Sequence, residues 1–204
     1  MQREIHFIFC YKLYEKVIYA IILTMENDLK EILFDRNIIN ERIRELGKNI
    51  SEDYDGKFPL FVCILRGAFM FLADLVRAVD IPISIDFMAI SSYGGKTEST
   101  GQVKILKDLD TAIKGRHVLI VEDIVDTGLT MDAVTRLLQT RKPASLKIAT
   151  LLDKEERRKI PVKVDYYGFK IPNLFVVGYG LDYEERYRNL PYIGVLKEDI
   201  YRKE

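Results

Sequence analysis

The chain has 204 residues, enough for one domain with a sizeable core, and its 31 basic and 31 acidic side chains cancel to a formal net charge of +0. That balance argues against the broad basic field on which nucleic-acid binding depends. The two cysteines (Cys10, Cys63) and two histidines (His6, His117) stand in no metal-ligand or disulfide spacing, so a zinc centre is not expected and a reduced, cytoplasmic compartment is. With so little histidine, acid–base work falls to carboxylates, lysines or tyrosines.

Residues 1–24 differ from the rest of the chain. Their apolar runs over 7–11 and 17–23 are interrupted by Lys12, Glu15 and Lys16, short of the roughly 18 apolar residues a membrane span needs. A secretory signal also fits poorly, since 22–24 make a weak cleavage site. The expected organisation is an extension over 1–24 outside the core, of the kind that a start codon placed too early would add, and one domain over 25–204. Ile39, Ile43, Leu46 and Ile50 recur at helical spacing behind Asn37 as cap, predicting a helix over 37–51. Residues 60–65 form a continuous apolar run, as in a strand buried on both faces, and Cys63 within it reads as a small apolar side chain. A helix is expected over 68–79, with Leu72, Leu75, Val76 and Val79 on one face. Ile83, Ile85, Phe87 and Ala89 alternate as in a strand, and a polar loop with three glycines spans 91–101. Further strands are expected at 103–106, 118–121 and 147–152, a helix at 130–139, and strand-like pieces near 164–169, 175–178 and 192–196. Alternating strands and helices imply an α/β fold, a parallel β-sheet core flanked by helices. The strand-rich tail, punctuated by Pro161, Pro172 and Pro191, reads as a small hood lobe over the strand ends.

The segment Val118-Leu119-Ile120-Val121-Glu122-Asp123-Ile124-Val125-Asp126-Thr127-Gly128-Leu129-Thr130 is the most informative. An apolar strand meets two adjacent carboxylates where it should end, then a turn rich in hydroxyls and glycine, then an amphipathic helix. Ligands of open α/β sheets bind at the carboxyl ends of strands, and a helix N-terminus suits a phosphate. A nucleotide P-loop is excluded, because Leu129 occupies the place where that motif carries lysine. Capping alone would explain Asp126 to Thr130, but not carboxylates against an apolar strand end, which are costly without partners. A sugar phosphate answers both demands.

Val-Glu-Asp-Ile-Val-Asp-Thr-Gly-Leu-Thr resembles the phosphoribosyl pyrophosphate signature of type I phosphoribosyltransferases. Leu65-Arg66-Gly67-Ala68, Ser91-Ser92-Tyr93-Gly94, Leu151-Leu152-Asp153-Lys154 and the run from Phe175 to Tyr183 stand in the order and spacing of the hypoxanthine-guanine phosphoribosyltransferases. The resemblance covers about Met25 to the C-terminus and implies a five-stranded parallel core with a hood carrying the base site.

It also implies a role for each of these residues. Asp126, Thr127, Gly128, Leu129 and Thr130 cradle the 5′-phosphate, and Glu122 and Asp123 accept from the ribose hydroxyls and favour a cationic ring. Asp126 is the general base beside purine N7, provided that neighbouring carboxylates and burial raise its pKa. Arg66, Gly67, Ser92, Tyr93 and Arg188 bind pyrophosphate, Arg66 by its guanidinium fork. Lys154 donates to a 6-oxo group, which disfavours adenine, Phe175 stacks on the base, and the Val176 backbone reads its edge beside Asp182. Mg2+ keeps several waters, with Asp182 as its best ligand and Glu122 and Asp123 as further candidates. The loop over 91–101 closes as a lid that excludes water. The implied partners are phosphoribosyl pyrophosphate and 6-oxopurine bases, in a homo-oligomer (dimer or tetramer) without nucleic acid or membrane. Two other readings remain: a regulator that senses the sugar pyrophosphate, disfavoured by the charge balance, and a sister transferase preferring xanthine.

Overall fold

The computed structural model describes residues 25–92 and 103–202. In chain order these form β1 (Leu29–Phe34), α1 (Arg36–Asp53), β2 (Leu60–Leu65), α2 (Phe69–Ala78), β3 (Ser84–Ser92), β4 (Val103–Lys107), β5 (His117–Val125), α3 (Leu129–Thr140), β6 (Ser145–Asp153), β7 (Tyr166–Lys170), β8 (Val176–Val177), β9 (Ile193–Leu196) and α4 (Glu198–Tyr201), with a 3₁₀ turn over Glu155–Arg157. The main sheet has the order β4-β3-β2-β5-β6-β7, parallel throughout except for the antiparallel edge strand β4. A second, three-stranded sheet, β1-β9-β8, is antiparallel and forms the hood.

The apolar runs of β2 and β5 are continuous because each packs on two layers. Phe61, Cys63, Leu119 and Val121 face α1 and α2, in a cluster with Ile43, Leu46, Phe71 and Leu75. Leu60, Val62, Val118 and Ile120 face α3, against Met131, Val134 and Leu138. Burial pushes the Cys63 thiol up to about 12, in keeping with a purely apolar role.

The structure corrects four expectations. The first helix begins at Arg36 and its cap is Asp35, whose Oδ1 accepts from the N–H groups of Asn37 (2.7 Å) and Ile38 (2.9 Å). The strand expected near 164–169 is β7, which pairs with β6 in the main sheet rather than joining the hood. The hood instead recruits β1, from the far end of the domain, to pair with β9. In β3 the alternation runs opposite to a simple reading. Asp86 and Met88 are buried while Ile85 and Phe87 are exposed, and Asp86 Oδ2 accepts from the Thr111 N–H at 2.8 Å.

Hood and core are joined by packing. Phe34 of β1 stacks on Phe169 of β7 with centroids 4.0 Å apart, and Arg42 of α1 donates to the carbonyls of Gly168 (2.8 Å) and Tyr167 (2.9 Å). No described helix is long and apolar enough to cross a membrane.

Candidate active site

The chain enters the main sheet at β2, runs outward to β3 and β4, then returns to place β5 on the other side of β2. The strand order therefore reverses between β2 and β5, where open α/β sheets bind ligands beyond the strand ends. Arg66 and Gly67 come directly after β2, joined through a cis Leu65–Arg66 peptide, and the acidic signature ends β5.

Glu122 and Asp123 lie inside β5 rather than beyond it, because the strand continues its pairing with β6 as far as Val125↔Asp153. Burial is the main cause that raises both carboxyls, Glu122 well above the usual range with the Asp123 charge adding to it. The contact between the two side chains raises Glu122 further and opposes the rise of Asp123, which also accepts from the Ile124 N–H at 2.7 Å. Glu122 Oε2 is shielded from solvent with no hydrogen-bond partner among the described residues. The Asp123 carboxylate lies on Gly67, where an added Cβ would come within 1.5 Å of Oδ2. Glycine at 67 thus leaves room for the Asp123 carboxylate where it lies.

The turn over 126–130 is held from outside. Gly128 adopts φ 83° at the start of α3, and a Cβ there would meet the Ile160 carbonyl at 2.7 Å. The Thr127 carbonyl accepts from the N–H groups of Lys159 (2.9 Å) and Ile160 (3.3 Å), and Thr127 Oγ1 accepts from the Leu129 N–H at 3.5 Å. The Arg158 guanidinium donates to the carbonyls of Val125 (2.6 Å) and Asp126 and to Asp153 Oδ1. These contacts fix the turn at the start of α3, whose first N–H groups have no helical partner.

Asp126 departs from expectation in its neighbours. The groups in ion-pair range are cations, Arg157 Nε at 3.2 Å and Lys154 Nζ at 4.0 Å, rather than carboxylates. Lys154 is buried just after β6, and that burial lowers its pKa against the opposing pull of Asp126. Lys154, Arg157, Leu174 and Phe175 line a cavity of about 470 Å³ closed at one side by α4. Phe175 is 36% exposed, stacks on Tyr201 at 4.5 Å and meets the edge of Tyr183 at 5.6 Å. Val176 is buried in β8, paired with Val195.

A second cavity, of about 380 Å³, gathers Arg66, Gly67, Glu122, Asp123, Thr130, Asp182, Glu185 and Arg188. Arg188 is not a solvated tail residue. It donates to the Gly180 carbonyl (2.8 Å) and lies 2.8 Å from Asp182 Oδ1, and its Nε is buried with no partner among the described residues. Asp182 Oδ2 accepts from the Glu185 N–H at 2.9 Å. No three His, Cys, Asp or Glu side chains among the described residues gather closely enough to hold a metal ion, so Glu122, Asp123 and Asp182 do not form a ready-made metal centre. Their hard oxygen donors suit magnesium bound mainly through ligand oxygens and water.

Ser92 ends β3 opposite Val103. Tyr93, with the rest of the expected lid over 93–101, lies outside the described residues, as does 1–24. Arg157, Arg158, Glu185 and Tyr201 were not singled out from sequence. The charge run 155–158 directly after a strand end was the available signal for the first two.

A parallel sheet with a glycine-containing turn, a buried acidic pair and two arginines at its switch point defines an α/β protein with its candidate site beyond the strand ends. The phosphoribosyl transferase domain model matches residues 30–184. A hypoxanthine-guanine phosphoribosyltransferase of Streptococcus thermophilus is 52% identical over 179 residues, covering 88% of this chain and 99% of that protein. One from Bacillus subtilis is 50% identical over 177 residues, covering 87% and 98%. The crystal structure of a hypoxanthine phosphoribosyltransferase from Staphylococcus aureus superposes with a TM-score of 0.86 at 53% identity, covering 88% of this chain and 98% of that one. The chain belongs to the phosphoribosyltransferase family, in its hypoxanthine-guanine branch.

Proposed function

We propose that this enzyme transfers the 5-phosphoribosyl group of phosphoribosyl pyrophosphate to N9 of hypoxanthine or guanine, giving IMP or GMP and pyrophosphate in purine salvage. The observation that supports this reading best is the cleft that Arg66, Glu122, Asp123, Thr130 and Arg188 line together. The bond from C1′ to the pyrophosphate oxygen breaks with its electron pair leaving on pyrophosphate, and the C1′–N9 bond forms. The ribose ring carries positive charge in the oxocarbenium-like transition state, as in glycoside hydrolysis. Asp123 and Glu122 hold the ribose hydroxyls and place negative charge near that ring. Arg66 and Arg188 take the charge developing on pyrophosphate. The turn from Asp126 to Thr130 fixes the 5′-phosphate, and Asp126 takes the proton released from the base. Lys154 donates to the 6-oxo group, Phe175 stacks on the base and the Val176 backbone reads its edge.

Asp182, and then Glu122 and Asp123, would hold magnesium, which would supply positive charge against the pyrophosphate. The fit rests on hard carboxylate oxygens at the cleft and on the unpartnered Glu122 Oε2. The exposed apolar side chains Ile85 (43%), Phe87 (38%) and Phe69 (38%) support a homo-oligomer, dimer or tetramer, and a cytoplasmic setting suits the free, buried Cys63. The deciding experiment is incubation with magnesium, phosphoribosyl pyrophosphate and each purine in turn. Nucleotide formation with hypoxanthine and guanine is expected. Turnover confined to xanthine or adenine would overturn the base assignment, and pyrophosphate release with no base would overturn the reaction.

A further inference from the structure

The two arginines assigned to pyrophosphate are not free in this structure. Glu185 Oε2 accepts a hydrogen bond from Arg66 Nη1 at 2.9 Å, and the same oxygen lies 3.6 Å from Arg188 Nη2. One carboxylate thus spans the two cations across the mouth of the cleft. Arg66 and Glu185 are both largely exposed, so the contact is made in water and can open readily.

Glu185 is aimed there by an unusual backbone. Glu184 (φ 50°), Glu185 (φ 63°) and Tyr187 (φ 75°) all adopt left-handed conformations, which non-glycine residues disfavour. The surroundings enforce that shape. Asp182 Oδ2 accepts from the Glu185 N–H, Tyr183 and Arg186 exchange backbone hydrogen bonds at 3.3 and 3.0 Å, and the buried Tyr187 ring anchors its hydroxyl on Asp28 at 2.7 Å. A solvent-facing glutamate needs none of this; a glutamate that must meet two particular guanidinium groups does.

Resting on the function proposed above, we propose that Glu185 is a positioning residue that stands in for pyrophosphate. It holds Arg66 and Arg188 in place while the cleft is empty, yields them when phosphoribosyl pyrophosphate enters, and returns as pyrophosphate leaves. A stand-in that competes for the ligand's own partners weakens the ligand's apparent affinity by the population of the self-bound state. An exposed ion pair of ordinary strength corresponds to a change of about two- to five-fold.

The test uses the full chain and Glu185→Gln, which keeps the side chain's length and removes its charge. Calorimetric titration with magnesium pyrophosphate should show binding about two- to five-fold tighter than in the parent, and KM for phosphoribosyl pyrophosphate should fall by a similar factor. KM for hypoxanthine should not move. Glu185→Asp, one methylene shorter, should also bind pyrophosphate more tightly than the parent. Unchanged or weaker pyrophosphate binding in Glu185→Gln would overturn the proposal, weaker binding assigning Glu185 to the ligand or its magnesium instead. A parent that binds no magnesium pyrophosphate would overturn both this proposal and the function on which it rests; a parent that binds and turns over isolates the role of Glu185.

Discussion

Arg158→Met should strip the turn over 126–130 of its brace. The guanidinium is 13% exposed and pairs with the Asp153 carboxylate, itself 7% exposed, while donating to the carbonyls that end β5 at Val125 and Asp126. Methionine fills similar volume but leaves Asp153 without its cation. Removing one partner of a buried pair costs about 3–5 kcal/mol. In a domain of this size each kcal/mol shifts the unfolding midpoint by about 2–4 °C, so a fall of roughly 6–20 °C is expected. The midpoint is read by circular dichroism, with and without phosphoribosyl pyrophosphate. Because the lost hydrogen bonds hold the turn itself, KM for phosphoribosyl pyrophosphate should rise about ten-fold, the equivalent of 1.4 kcal/mol. The double variant Arg158→Met/Asp153→Leu removes the stranded charge and should recover much of the stability but not the affinity. A midpoint within about 2 °C of the parent in the single variant would refute the reasoning, since the pair would then be no more than a surface contact.

How much of the chain could be read depends on how many neighbours each segment has. β2 and β5 were legible because both of their faces are covered, which forces continuous apolar runs. The helix after β5 was legible for a related reason: one face packs on the sheet, and the other is polar. β1 was missed because Leu29–Phe34 has no alternation, being exposed at Lys30, Glu31 and Ile32. Its partner β9 lies at the other end of the domain, where no local pattern reports it. β7 was placed in the wrong lobe because Pro161 and Pro172 mark the loops around it, whereas only its pairing with β6 assigns it to the core. The acidic pair looked like a strand end because buried carboxylates are rare in strands. In the structure they remain in the ladder, where Gly67 provides the space for Asp123. Arg157 and Arg158 carried the composition of solvated residues, and Arg188 was legible only through the family resemblance. Their placement comes from the chain folding back on β5 and from the hood loop, neither of which a linear pattern encodes.

Asp126→Asn should leave phosphoribosyl pyrophosphate binding near normal and lower turnover about 10²-fold, the scale of a lost acid–base group; single-turnover kinetics checks it, and near-normal turnover would remove Asp126 from proton transfer. Lys154→Ala should weaken hypoxanthine and guanine binding by about 1–3 kcal/mol, the range for a charged hydrogen bond, and a KM series including adenine would show whether another group reads the 6-position. A chain beginning at Met25 should unfold at the same midpoint as the full chain, because Glu26, Asn27 and Asp28 already dock on Tyr192, Lys197 and Tyr187; a midpoint lower by many degrees would place 1–24 in the fold. Glu122→Gln should trade function for stability. Burial raises the Glu122 pKa above its ordinary 4.5, so the folded protein holds a proton that the unfolded chain releases. The favourable contribution is complete below pH 4.5 and is lost as pH rises toward the folded pKa. Glutamine stays neutral throughout, so the variant's midpoint should match the parent near pH ~4 and exceed it increasingly toward neutrality. Its affinity for phosphoribosyl pyrophosphate should fall, because an amide replaces one carboxyl oxygen that would accept from the ribose hydroxyls. Thermal melts from about pH 4 to 8 measure the first effect and calorimetry the second. A midpoint difference that is constant with pH would mean that Glu122 carries no buried proton.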